Sequence, residues 1–167
     1  MQRRCGAARF ERALETLPSV VREEYDQATA LGWTQQATVR EATRAVALEL
    51  GVDPIELAAQ VVEESVAQSL RGVWSILVRN TSDEALVSRA ATIFGKSFDA
   101  GKFRAEALTA GRVRVVIEGW PQAHDMDIAS IARGIVAILE VAGRRRRPGR
   151  VTALREGARI LFDVDAT

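Results

Sequence analysis

Residues 102–119, KFRAEALTAGRVRVVIEG, change the hydrophobic period of the chain, and Gly101 marks the change. Val113, Val115 and Ile117 alternate with Arg114, Val116 and Glu118, which gives one strongly apolar face and one mixed face of a strand. Phe103, Ala105 and Ala107 supply the matching face of a partner strand across a turn at Ala110-Gly111. A second such unit follows at 150–165, RVTALREGARILFDVD, in which Arg150–Arg155 and Ala158–Asp165 flank a turn at Glu156-Gly157. Between the two hairpins Ile128, Ile131, Ala132, Ile135, Ile138, Leu139 and Ala142 line one side of a helix over Asp127–Ala142. The order is ββαββ, and a helix covering the greasy face of a four-stranded antiparallel sheet makes it self-consistent.

Upstream the period is helical throughout. Phe10, Ala13, Leu14 and Leu17 mark a helix over Ala7–Leu17. Pro18 suits the first position of a second, which Leu31-Gly32 closes. Val39, Ala42, Val46 and Leu50 mark a third, closed by Gly51. Asp53-Pro54 combines a capping carboxylate with a preset φ, and the stripe it starts runs through Ile55, Ala58, Val62, Val66, Leu70, Val73 and Leu77, with Gly72 inside it. Ser82-Asp83-Glu84 starts a further helix that ends near Phe94-Gly95. The fold class is therefore α+β: N-terminal helices packed with a C-terminal ββαββ sheet, one domain over 1–167 with a helical part (1–97) and a ββαββ part (98–167).

The chain has 167 residues and a formal charge of +1, so it is long enough for a real core and has no general attraction to nucleic acid or acidic membranes. Cys5 is the only cysteine, which excludes an internal disulfide and a cysteine-based zinc site. No apolar run approaches the roughly 20 residues of a membrane span, Cys5–Phe10 is too short for a signal-peptide core, and the expected location is cytoplasmic.

No segment has the residue types and spacing of a known catalytic chemistry. His124 is the only histidine. It leads into a helix that Asp125 or Asp127 caps, and one imidazole makes no multi-histidine metal site. Asp125 and Asp127, taken as an acid/base pair, are better explained by the free amides of a helix N-terminus. Gly95-Lys96-Ser97 has the tail of a phosphate loop without its first glycine. The expectation is no enzyme, no metal and no cofactor. Trp74, Phe98, Phe103 and Trp120 are the aromatics expected to line a pocket between helices and sheet, suited to a small apolar ligand. Arg144, Arg145, Arg146 and Arg147, with Arg150, put five arginines in seven positions. They form a solvated turn after the helix or, in the alternative reading, a site for a phosphate-bearing ligand or nucleic acid. A protein partner or a homodimer is also expected, through sheet edges or the apolar stripe at Val66 and Leu70.

Leu70-Arg71-Gly72-Val73-Trp74, Ser82-Asp83-Glu84-Ala85-Leu86, Arg89, Phe98-Asp99-Ala100-Gly101-Lys102 and Gly119-Trp120-Pro121 resemble a paralogous family of unknown function abundant in myxobacteria and their relatives. That family is similar, more distantly, to haem-NO-binding and 4-vinyl-reductase-type ligand-binding domains, in which helices precede a ββαββ end. The resemblance covers nearly the whole chain from about Gly6 and implies a sensory or regulatory binding domain. The haem-binding relatives carry a Tyr-x-Ser-x-Arg signature and a proximal histidine on a helix. Here the only tyrosine, Tyr25, is followed by Asp26-Gln27-Ala28-Thr29. The cysteine cluster of the reductase-type domains is absent as well, so the resemblance transfers a shape and neither cofactor's ligands.

Overall fold

The computed structural model describes residues 1–28, 34–70, 81, 98, 100–109, 112–141 and 151–165. Its elements are α1 (Gln2–Cys5), α2 (Ala7–Glu15), α3 (Ser19–Gln27), α4 (Gln36–Leu50), α5 (Pro54–Ser69), β1 (Lys102–Thr109), β2 (Arg112–Glu118), α6 (Asp125–Val141), β3 (Val151–Glu156) and β4 (Arg159–Asp165). The four strands form one antiparallel sheet in the order β1-β2-β4-β3. The α+β class and its order, helices first and ββαββ last, are those read from the period of the sequence.

Register fixes which face is apolar. Phe103 pairs with Ile117, Ile117 with Ile160, Val115 with Phe162, and Val113 with Val164. Because side chains alternate along a strand, this whole set falls on one face. Ile117, Ile160 and Phe162 are fully buried there against Trp120, Ala123 and the apolar side of α6. The opposite face carries ion pairs over Val116 and Leu161: Arg114 grips Asp163 through two parallel bonds of 2.6 and 2.8 Å, and Glu118 lies between Arg104 and Arg159. Gly157 opens the two-residue turn between β3 and β4 with φ 61°.

A second core lies within the helical part, where Phe10, Leu14, Ala42, Val46 and Leu57 pack together. Helix α5 joins the two halves. Its Asp53 N-cap accepts the Glu56 N–H at 2.9 Å with Pro54 at the first helical position, as the sequence indicated. Part of its apolar stripe faces α6: a Cβ on Gly134 of α6 would stand 3.4 Å from Val62 and 3.9 Å from Val66.

Several helix boundaries also differ from expectation. Helix α5 ends at Ser69, whose hydroxyl turns back onto the Ser65 carbonyl at 2.8 Å and competes with regular winding; the expected continuation through Val73 to Leu77 lies outside the described residues. Pro18 is the N-cap of α3 and not its first helical residue, and α3 stops at Gln27 because Ala28 is extended, at ψ 129°. Helix α6 starts at Asp125, with the His124 carbonyl accepting the Asp127 and Ile128 amides. Helix α1, which has no strong apolar period, went unread. It is tied to α5 by Arg4, which bonds Glu64 and Gln60. The expected helix from Ser82, the Ala110-Gly111 turn and the Leu31-Gly32 stop lie outside the described residues.

Carboxylates on exposed faces set an acid limit. Glu24 of α3 caps α4 from outside, accepting the Thr38 hydroxyl and, at 3.0 Å, the Gln35 N–H, while Gln35 itself offers no side-chain cap. Those bonds hold the Glu24 carboxyl below its ordinary value; Arg4 does the same for Glu64, and Arg114 for Asp163. A carboxyl depressed in the folded state contributes stability that is complete above its unfolded value and is lost as the pH falls through the folded one. The urea midpoint is therefore expected to hold steady from neutrality to about pH 5 and to fall below about pH 4. A midpoint unchanged at about pH 3 contradicts this assignment of the carboxylates.

Candidate functional site

Where α4, α5, α6 and β1 meet they leave a cavity of about 520 Å³, within the range of small-molecule sites. Helix α5 contributes Val61, Val62 and Val66; α6 contributes Ile131, Ile135 and Ile138 at successive turns; Phe98 and Phe103 close the sheet side. The spacing of three and four on α6 that the sequence showed as one apolar stripe thus serves both the sheet and the cavity. Gly134 sits in the same wall, and its missing side chain leaves room both for the void and for close approach of α5.

The aromatic set divides. Phe98 and Phe103 lie on the cavity wall. Trp120, expected beside them, is not among the lining residues: it is 6% exposed within the sheet-side core, its ring 5.5 Å from that of Phe98 and tilted by 49°. It backs the wall without forming it. Trp74 and the Arg144–Arg147 cluster lie outside the described residues.

One end of the cavity is polar, and this end was missed from sequence. Arg40 of α4 reaches Asp127 of α6, with Nη1 3.1 Å from Oδ2, and both line the cavity. Gln36 and Thr43 flank Arg40 at helical spacing on α4, and Ser130 stands one turn after Asp127 on α6. Asp127 is 7% exposed. It also accepts the His124 backbone N–H at 2.9 Å, the return bond of a capping box, which gives Asp127 a structural role at the start of α6.

His124 is engaged from both sides. Its Nδ1 lies 3.2 Å from the Met126 N–H and its Nε2 3.1 Å from Nη2 of Arg44. Both approaching groups are donors, so neither ring nitrogen is bare, and in a neutral ring only one of the two contacts is a hydrogen bond. Among the described residues no group of three or more His, Cys, Asp or Glu could hold a metal ion. None of their helices is long and apolar enough to cross a membrane.

No protein-family model matches the chain, and no curated protein matches it significantly. Solved structures do. The unliganded Fe(II) H-NOX protein from K. algicida superposes with a TM-score of 0.70 at 10% identity, covering 98% of this chain and 89% of that one. The fold is that of the H-NOX domains. The H-NOX from Shewanella woodyi, solved with IWP-051 bound in the Fe(II)CO state, gives a TM-score of 0.68 at 10% identity over 98% and 87% of the two chains. An oxygen-binding H-NOX domain related to soluble guanylate cyclases gives 0.61 at 12% identity over 98% and 86%.

A haem in this H-NOX-like fold would need an axial histidine, cysteine or tyrosine, or a methionine working beside a histidine. The described cavity wall holds none of the first three and offers only the thioethers of Met1 and Met126. His124, the chain's one histidine, is held by Arg44 and the Met126 amide; Cys5 and Tyr25 pack on the other core, between helices. The residues present do not fit haem.

Proposed function

We propose that this chain is a non-enzymatic sensory or regulatory domain that takes a small apolar molecule, without haem, into the cavity between its helices and its sheet. The observation that carries the reading is the cavity itself: about 520 Å³, walled by valine, isoleucine and phenylalanine side chains from four elements. A cavity of that size with a mainly apolar wall and a few polar groups suits a small apolar molecule. The fold supports the same reading, since solved H-NOX domains include an oxygen complex and one bound to IWP-051. The short motifs quoted above resemble those of the myxobacterial paralogues, and that resemblance carries the same regulatory expectation.

The test uses the neutral apolar dye N-phenyl-1-naphthylamine. Saturable uptake near one dye per chain is expected, together with no haem-type ligation spectrum on adding haemin. Gly134→Leu, which places a side chain into the cavity wall, is expected to weaken dye uptake by about tenfold or more while helicity is retained. Val66→Phe makes the same measurement from α5 if the first variant does not fold. Dye uptake that neither variant changes, or no uptake at all, overturns the reading.

A further inference from the structure

The polar end of the cavity is unfinished. Asp127 is 7% exposed, and both of its hydrogen bonds, from the His124 N–H and from Arg40, fall on Oδ2. Its Oδ1 accepts none from any described residue. Arg40 is also largely covered, its side chain 21% exposed; a guanidinium has five N–H donors, and among the described residues the only partner of this one is Asp127. Ser130 and Gln36 add a hydroxyl and a carboxamide on the same wall. A buried acceptor left without a donor is costly, so what enters this cavity is selected by what it offers there.

Charge narrows the choice. Arg40 and Asp127 together are neutral. A carboxylate would suit Arg40 but bring anionic oxygen against Asp127 Oδ1, and an ammonium would do the reverse. A neutral group that gives one hydrogen and accepts another satisfies both residues. Given the cavity reading above, on which this rests, we propose that the ligand is a neutral amphipathic molecule. It carries an amide, lactam or hydroxyl head on a mainly hydrocarbon body, with its N–H or O–H donated to Asp127 Oδ1 and its oxygen accepting from Arg40.

Four compounds of equal chain length separate the alternatives: octanamide, 1-octanol, octanoate and octylamine, each titrated near pH 7 against bound N-phenyl-1-naphthylamine on the full chain. Octanamide and octanol are expected to displace the dye about ten- to a hundred-fold more tightly than either ion. Asp127→Asn leaves Arg40 uncompensated and is expected to shift the octanamide-to-octanoate ratio toward octanoate by about tenfold or more. Arg40→Gln is expected to shift preference toward octylamine, and it stands in if the Asp127 variant does not fold. Equal displacement by all four, or octanoate or octylamine tightest on the unaltered chain, overturns the head-group assignment while leaving the apolar cavity reading intact. A ratio that neither variant moves does the same, because it places the discrimination elsewhere. Failure of the dye and of all four compounds overturns both.

Discussion

Replacing Gly101 with valine is expected to remove about 2–6 kcal/mol of unfolding free energy, enough to unfold much of a marginally stable domain. Two costs combine at this position. The backbone sits at φ +82°, where a β-branched side chain is strained by about 1–3 kcal/mol. A Cβ built there stands 2.9 Å from Ile117 Cγ2, 3.4 Å from Trp120 Cβ and 3.5 Å from the Glu118 carbonyl. Ile117 is fully buried and has no space to yield, so overpacking adds about 1–3 kcal/mol. Gly101→Ala meets the same first contact and is expected to lose much of the same stability. Urea denaturation followed by circular dichroism measures both variants; a valine variant within about 0.5 kcal/mol of the unaltered chain removes the argument.

Phe162→Ala is expected to cost about 3–5 kcal/mol, the range for emptying a fully buried aromatic site. Phe162 is at 0% exposure on β4, with Val115 as its register partner on β2 and Ala153 as its partner on β3. A cavity there cannot collapse easily, because strands pin it on both sides and Trp120 and α6 cover it. Leu154→Ala, on the opposite face and 54% exposed, serves as the control and is expected to stay within about 0.5 kcal/mol. Equal losses from the two would mean that the apolar face assigned from strand register is not the buried one.

Both positions support the wall on which Phe98 and Phe103 stand, and that wall was legible for a physical reason. Alternation along a strand and recurrence along a helix are local signals, so the hairpins and α6 could be placed within a residue or two from the period alone. Their apolar members then identified the sheet face packed by Phe162 and Ile117. Helix ends were less legible where the stop was a local competition, as at Ser69, or where the chain turned extended without a glycine, as at Ala28.

The polar end of the cavity was illegible for the opposite reason. Asp127 read as a helix cap because that part of its role lies three residues away, at His124. Its partner Arg40 stands on another helix, and nothing in Thr38-Val39-Arg40-Glu41 distinguishes that arginine from a solvated one. Trp120 could not be placed on one side of the wall from sequence, because a large aromatic beside a cavity and one facing it have the same sequence signature; its packing against Phe98 separates them.

Gly134 makes the void and the helix joint share a wall. The same absent side chain admits Val62 at one side and opens the cavity at the other. One residue thus sets both how closely α5 approaches α6 and how much of the space between them stays open.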